Sequence, residues 1–120
     1  MVKLSRSKKK AAGLNRHVPV VEPGSIIVVD LENPREKHLG ALLELSPAGL
    51  WIKGINLDSF DQWLREVVEN SSQTVAAATS FFPMLRIGRI TLDQSTGGIP
   101  SYEEIVLQRL GSEIKDLFYC

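Results

Sequence analysis

Three segments in the first half of the chain have the pattern of short β-strands, because β-branched and large apolar side chains favour extended backbone. They are residues 25–31, 37–46 and 50–57. In the second segment the alternation predicts one shared apolar face, formed by Leu39, Ala41, Leu43 and Leu45. The proline and glycine at residues 46–49 are typical of a tight turn, so the three strands are predicted to form an antiparallel meander.

The apolar spacing changes to that of a helix after residue 58. Large apolar side chains now recur at intervals of three and four residues, which places them on one side of a helix: Phe60, Trp63, Leu64, Val67 and Val68. Asp58 or Ser59 is the expected N-cap, and the polar residues at 70–72 are expected to end the helix. Its apolar side is predicted to face the core.

The second half of the chain contains two more candidate strands. They are residues 73–82 and 84–92, and Pro83 marks the break between them because proline cannot donate a hydrogen bond to a sheet. Five short strands with tight connections favour a small β-barrel.

A helix is predicted at the C-terminal end. Ser101 and Glu104 have the spacing of a capping box, and they follow a polar loop at residues 93–100. Gly111 is expected to kink this helix or to split it in two. The predicted fold class is therefore α+β: a small β-barrel of about five antiparallel strands, with a helix inserted after the third strand and a C-terminal helix.

Size and composition fit one domain. The 120 residues are 43 % hydrophobic and 23 % charged, as in an ordinary globular protein. We expect residues 18–120 to form a single domain, preceded by a flexible basic arm at residues 1–17. No apolar run approaches the roughly 20 residues that a membrane-spanning helix needs.

Few side chains are suited to metal binding or catalysis. Cys120 is the only cysteine, so no internal disulfide can form, and a cytoplasmic location is expected. His17 and His38 are the only histidines, too few for the usual Cys and His ligands of zinc. No nucleophile motif is present, so we expect no enzyme, no cofactor and no metal.

The net charge of zero conceals a strongly basic start to the chain. Residues 1–17 hold six of the fourteen basic residues and none of the fourteen acidic ones, so their formal charge is +6 and that of the remainder −6. The six are Lys3, Arg6, Lys8, Lys9, Lys10 and Arg16. Such an arm either contacts the phosphates of RNA, DNA or lipid, or is a solvated tail that aids solubility.

Two arginines in the last predicted strand are further candidates for nucleic-acid contacts. Arg86 and Arg89 are three residues apart, so they point to opposite faces of a strand unless Gly88 forms a bulge. A bulge would let both face one anion, and the alternative is that they are two ordinary salt-bridge partners for the acidic domain. Trp51 and Trp63 are interpreted as core residues, and an exposed Trp51 would instead favour a binding face.

The predicted strands resemble the small barrel of the Sm-like proteins. The similarity covers about 70 residues and consists of glycine and apolar spacings, with a closing strand pair around Pro83: Gly24, Val28, Leu31, Gly40, Leu42, Leu50, Ile52 and the segment 86–90. It implies a ring of subunits that binds uridine-rich RNA. The family's Asp and Asn in the loop between the second and third strands are replaced here by residues 46–49, and the helix at 58–70 is additional.

A second resemblance is to PilZ domains, which bind a cyclic dinucleotide. Glu44, Ser46 and Gly49 are similar in spacing to the PilZ motif, which has Asp or Asn at the first position. The paired arginines that precede a PilZ barrel are not present at Arg6 or Arg16. This resemblance implies a regulatory domain without an intact cyclic-dinucleotide motif.

The predicted function is a non-enzymatic binding module that contacts nucleic acid or a ribonucleoprotein through its basic arm. The alternative is a protein–protein interaction adaptor or homo-oligomer that uses an exposed strand edge or the terminal helix. Removing residues 1–17 separates the two, because the adaptor keeps its partner and the nucleic-acid binder loses its ligand.

Overall fold

The fold is an open antiparallel sheet with helices on one side. The computed structural model describes residues 20–70 and 74–119. The strands are β1 Ile26–Leu31, β2 Glu36–Ser46, β3 Gly49–Asn56, β4 Ala78–Pro83 and β5 Ile87–Leu92, and their order in the sheet is β4-β3-β2-β1-β5. Every neighbouring pair is antiparallel. The sequence-based prediction of five antiparallel strands is confirmed.

The helices are α1 Phe60–Glu69, α2 Tyr102–Leu110 and α3 Ile114–Phe118. The α+β class, with a helix after the third strand and a helical C-terminal part, is therefore confirmed. The basic arm lies outside the described residues. No helix within 20–70 and 74–119 has the length and apolar character needed to cross a membrane.

The sheet curls but does not close. Its two edge strands, β4 and β5, are joined by a single 3₁₀ turn, Met84–Arg86, so the edges approach each other at this end. Phe82 on β4 and Ile90 on β5 both pack against the same buried cluster. The edges are not hydrogen-bonded to each other, so "barrel" describes the sheet only loosely.

Each face of the curled sheet carries its own core. The sheet curls towards one of its faces, which we call the inner face. This face buries one apolar cluster: Ile27, Val29, Leu31, Leu42, Leu50 and Ile52. The outer face carries the strand residues Ile26, Leu39, Ala41 and Ile55, which pack against the helices. Such strands are buried on both sides, which explains their nearly continuous apolar sequence.

A bulge in β2 corrects the predicted apolar face. The pairing of β2 with β3 shifts between Leu42 and Glu44, so the side chains beyond this point change sides. Leu39 and Ala41 lie in the helix-covered core, whereas Leu45 is exposed. The prediction that one face continues as far as residue 45 was wrong, because strand alternation alone does not reveal an extra residue.

The helices pack where their apolar spacing predicts. Trp63 and Leu64 of α1 are buried, while Val68 at the margin of the apolar side is exposed. The predicted split at Gly111 is confirmed: α2 ends there in a left-handed conformation with φ of 71°. The short α3 then buries Phe118 completely.

Side-chain hydrogen bonds set the start of α2. The Ser101 hydroxyl accepts from the Glu104 backbone N–H at 3.0 Å, as the capping box predicts. The Asp93 carboxylate accepts from the backbone N–H groups of Tyr102 and Glu103, each at 2.9 Å. These acceptors satisfy N–H groups that have no partner inside the helix.

The segment after α1 is a loop where a strand was predicted. The strand predicted for residues 73–82 begins only at Ala78 in the structure. The Glu66 carboxylate, nearly buried on α1, accepts backbone hydrogen bonds from Thr74 at 3.0 Å and Val75 at 3.1 Å. Because the carboxylate accepts hydrogen bonds from these N–H groups, they are not available to pair in the sheet, and β4 begins later in the sequence.

Glu66→Gln is expected to flatten the acid dependence of stability. The Thr74 hydroxyl and the backbone N–H groups of Val75 and Thr74 hold the Glu66 carboxyl at a pKa of about 2, below its ordinary value of 4.5. Because the folded-state pKa is the lower one, the stabilisation is complete above pH 4.5 and is lost as the pH falls towards 2. Urea denaturation between pH 6 and 2 measures the free energy of unfolding. We expect the variant to be less stable than the wild type at pH 6, and the difference in stability to narrow as the pH falls.

Glu69→Gln is the matched control, since Glu69 is exposed on the same helix and its side chain makes no hydrogen bond within the described residues. Parallel pH profiles for wild type and Glu66→Gln would show that the carboxylate does not anchor the loop.

Candidate functional site

An exposed pair of aromatic rings marks the outer face of β3 and β4. Trp51 alternates along β3 with Leu50 and Ile52, which are buried in the inner core, so its ring points outward. Phe81 lies directly opposite in the ladder. The two ring centroids are 5.2 Å apart, and the planes are tilted by 50°. We call Trp51 and Phe81 the aromatic pair.

Both rings are accessible although they are large and apolar. Trp51 is 44 % exposed and Phe81 is 38 % exposed. The helices cover the part of the outer face that holds Leu39 and Ile55, and neither ring belongs to that core. Phe60, Trp63 and Phe118 are buried, whereas these two rings lie side by side on the surface, and two adjacent exposed aromatic rings are typical of a contact face.

The local sequence positions the pair. The Phe81 ring lies over Gly49, where an added Cβ would come within 2.8 Å of the ring. Lys53 follows Trp51 on the same face of β3, and Glu44 is opposite Trp51 on β2. The rings therefore have one cationic and one anionic neighbour.

More exposed apolar surface lies beside the aromatic pair, at the turn between β4 and β5. Met84 donates its backbone N–H to the Ala48 carbonyl at 2.9 Å, which brings this turn against the hairpin that connects β2 and β3. Met84 is 39 % exposed and Leu85 is 97 % exposed. We call Met84 and Leu85 the apolar turn.

The two candidate arginines have different environments. The pairing of β5 with β1 shifts at Gly88. The bulge without which the two arginines were predicted to point to opposite faces is therefore present. Arg86 nevertheless uses its guanidinium within the fold: Nε donates to the Glu32 carbonyl at 2.8 Å, and a terminal nitrogen donates to the Pro34 carbonyl at 2.9 Å. Arg86 thus holds the turn between β1 and β2, whereas Arg89 is exposed.

A cleft of about 360 Å³ lies beside Arg89. Three cationic and three anionic side chains line it: Arg35, Lys37, Arg89, Asp30, Glu32 and Glu36. Because the charges balance, the cleft presents no strong field to a phosphate. The arginine sites are therefore weak anchors on their own, and the predicted phosphate contacts depend on the arm.

His38 makes two contacts within the fold. It lies on β2, where its Nε2 is 3.0 Å from a Glu36 carboxylate oxygen and its ring contacts that of Phe82, with centroids 4.8 Å apart and planes tilted by 50°. The hydrogen bond with His38 lowers the pKa of Glu36, and the charges of His38 and Arg86 add to this effect. No group of three or more His, Cys, Asp or Glu within 20–70 and 74–119 is arranged to hold a metal ion.

The six basic residues of the arm, Lys3, Arg6, Lys8, Lys9, Lys10 and Arg16, all lie outside the described residues. The sequence did not single out Phe81, since its alignment with Trp51 depends on where β4 begins. A phenylalanine pair at 81–82 next to a proline was the available signal, because one of two consecutive strand residues must point outward.

No protein-family model, curated protein or solved structure matches the chain. The class of the fold therefore rests on the sheet and the helices themselves, and the Sm-like and PilZ resemblances stay predictions.

Proposed function

We propose that the protein is a non-enzymatic nucleic-acid-binding module. Bases of a single strand stack on Trp51 and Phe81, and the basic arm contacts the phosphates. The observation that carries this proposal is the exposed aromatic pair on the sheet, since every base has a face that can stack on an aromatic ring. Lys53 and Glu44 beside the pair carry opposite charges, so the attraction for phosphates is left to the arm.

The distribution of charge supports separate roles for the basic arm, which attracts phosphates, and the aromatic pair, which stacks on bases. The described domain is acidic, so its surface as a whole repels phosphates, and the +6 charge of residues 1–17 supplies the attraction. Attraction through the arm gives affinity that depends on salt and not on sequence. Stacking gives affinity that depends little on salt and requires unpaired bases, so single strands are preferred over duplexes.

Removing Trp51 is expected to weaken single-strand binding. Stacking of a base contributes about 1–3 kcal/mol, so Trp51→Ala should raise the Kd roughly fivefold to a hundredfold. Fluorescently labelled single-stranded RNA and DNA and a duplex, titrated by anisotropy at two salt concentrations, measure the effect. Leu107→Ala is the matched control, because it removes an exposed apolar side chain from α2 at a distance from the pair.

Neutralising Lys8, Lys9 and Lys10 with glutamine in the full-length chain tests the arm separately. This variant should weaken binding mainly at low salt and reduce the salt dependence, whereas Trp51→Ala should keep the wild-type salt dependence. Absence of binding to any strand by the wild type at low salt would refute the proposed function.

A protein–protein interaction adaptor is the second candidate, and the open sheet edges favour it. Within the described residues β4 pairs only with β3, and β5 pairs only with β1, so each strand has one unpaired edge. The nearly fully exposed Leu85 lies between them. Unpaired edges accept an extended segment of a partner. A partner that is still bound after residues 1–17 are removed would favour this function.

A further inference from the structure

A polar cleft lies on the opposite side of β4 from Phe81. It has a volume of about 290 Å³, near the lower end of the roughly 300–1,000 Å³ typical of small-molecule sites. Gly54 on β3 and Ala78 on β4 are paired side by side in its lining, so the cleft has a floor with almost no side chains. Ile55 and Val75 contribute apolar lining beside this floor.

Polar side chains line this cleft, and several of their hydrogen-bonding groups have no partner within residues 20–70 and 74–119. Ser59 and Ser80 line it, and neither hydroxyl makes a hydrogen bond in the part of the chain that the structure describes. Asn56 uses its side-chain oxygen to accept from the Asp58 N–H at 2.9 Å, which leaves its NH₂ group available. His38 forms a hydrogen bond with Glu36 through Nε2, so its other ring nitrogen, Nδ1, is available to a ligand.

Among the described residues that line the cleft there is no Asp, Glu, Lys or Arg, and His38 is the one side chain of the imidazole type. Glu36, the acidic group next to it, is already bonded to His38 and lies 3.7 Å from the Arg86 guanidinium. A charged ligand would lose its hydration here without gaining a counter-charge. An uncharged ligand that offers both donors and acceptors loses little hydration energy. It can form hydrogen bonds with the four polar groups named above, which have no partner within the described residues.

A flat floor and polar groups around it select a planar ring with polar edges. A planar ring can lie against Gly54 and Ala78 because no side chain rises from the one and only a methyl group from the other. Its edge then reaches the hydroxyls of Ser59 and Ser80, and hydrogen bonds at the edge are the way proteins read unpaired bases. Nucleobases are the common biological ligands that combine this shape, this size and this neutrality.

We infer that the cleft bounded by His38, Asn56, Ser59 and Ser80 binds a nucleobase. The base comes either from a free nucleoside or from a strand held by the aromatic pair. In the second case the inference rests on the proposed function, and in the first it stands without it. The cleft contacts no residue of the aromatic pair, so the two sites can be tested separately.

Nuclear magnetic resonance of the full-length protein tests the inference. The chain has two histidines, so the His38 imidazole signals can be assigned with a His17→Gln variant. Adenosine, guanosine, cytidine, uridine and ribose 5-phosphate are titrated one at a time. We expect at least one nucleoside to shift the His38 ring and the backbone amides of Gly54 and Ser80 saturably, and ribose 5-phosphate to leave them unchanged.

Ser80→Ala should weaken nucleoside binding about threefold to tenfold, the usual effect of one neutral hydrogen bond. The fold should tolerate this change, because the Ser80 hydroxyl makes no hydrogen bond in the described part of the chain that its loss would leave unsatisfied. Thr79→Ala is the matched control: Thr79 is the adjacent residue of β4, is exposed, and points to the outer face.

Short single-stranded RNA and DNA distinguish the source of the base. If only strands shift His38 and Ser80, and Trp51→Ala abolishes the shift, the base comes from a bound strand. Strand binding that shifts Trp51 but leaves the cleft unchanged would overturn the inference while supporting the proposed function. A nucleoside that binds the cleft of a protein that binds no strand would support the inference and refute the proposed function. Equal affinities of wild type and Ser80→Ala would overturn the inference.

Discussion

Trp63→Ala should lower the free energy of unfolding by about 3–5 kcal/mol, the usual cost of removing a buried tryptophan or phenylalanine from a core. Trp63 is only 2 % exposed. Its ring lies 6.0 Å from that of Phe60 and 5.2 Å from that of Phe118. It therefore joins α1 to α3, and its loss leaves a cavity that neither helix can fill. Urea denaturation followed by far-ultraviolet circular dichroism measures the change.

The other tryptophan is the matched control for this experiment. Trp51→Ala removes the same side chain from a position that is 44 % exposed, so it should cost about 1–2 kcal/mol, clearly less than Trp63→Ala, because less buried apolar surface is lost and no closed cavity is left. The same pair of variants separates stability from function, because Trp51→Ala should impair strand binding and Trp63→Ala should impair folding. Equal losses of stability in the two variants would contradict the assignment of Trp63 to the core.

Gly54→Ala should disrupt the pairing of β2 and β3. Gly54 is opposite Gly40 in the ladder, and the backbones approach closely there as the sheet curls. A Cβ on Gly54 would lie 2.0 Å from the Leu39 carbonyl oxygen and 2.5 Å from the Gly40 Cα. Both atoms belong to the backbone and cannot swing aside, so the strands must separate. We expect a loss of at least about 3 kcal/mol, the upper end of overpacking costs.

Gly98→Ala is the control for the glycine substitution. Nothing lies within 4 Å of the Cβ position at Gly98, in the loop between β5 and α2. Its change in stability should stay within about 0.5 kcal/mol, with a small gain if the unfolded chain is restricted. Comparable stabilities of Gly54→Ala and the wild type would mean that β2 and β3 do not approach as closely as described.

The two proposed contacts meet on one strand. β4 carries Phe81 on its outer face and Ser80 on its inner face, and no strand covers its outer edge in the described part of the sheet. A flexible ligand can therefore reach both sides of β4 by passing around this edge. The late start of β4 at Ala78 is part of the arrangement, since the loop before it contributes Thr74 and Val75 to the cleft.

Local sequence patterns were sufficient to predict that most strands and helices exist, but not where each of them begins and ends. Residues 73–82 had strand composition, yet a carboxylate on α1 holds Thr74 and Val75 as a loop. Residues 84–86 were predicted to be strand and instead form a 3₁₀ turn. Both differences coincide with contacts outside the segment itself, eight or nine positions away for Glu66 and more than fifty for the hydrogen bonds of Arg86, to which a local propensity does not respond.

The candidate site could be predicted only in part. The interpretation of Trp51 as a core residue was wrong, since its side chain is 44 % exposed, and this exposure is the outcome that the sequence analysis associated with a binding face. Its partner Phe81 depends on the register of β3 with β4, which the sequence does not specify. Arg86 was a candidate for phosphate contact, but it donates to two carbonyls of a turn more than fifty positions earlier in the sequence.

By itself the sequence determined the order of strands and helices, the helix start at Ser101, the break at Gly111, and the concentration of basic residues in positions 1–17 against an acidic remainder. Those features follow from propensity, capping and charge, which act over a few residues. Only the tertiary structure decided which tryptophan is buried, that the sheet curls without closing, and that Ser59 and Ser80 face one cleft. These outcomes depend on register and on the packing of helices over part of one face, where contacts between distant segments outweigh local preference.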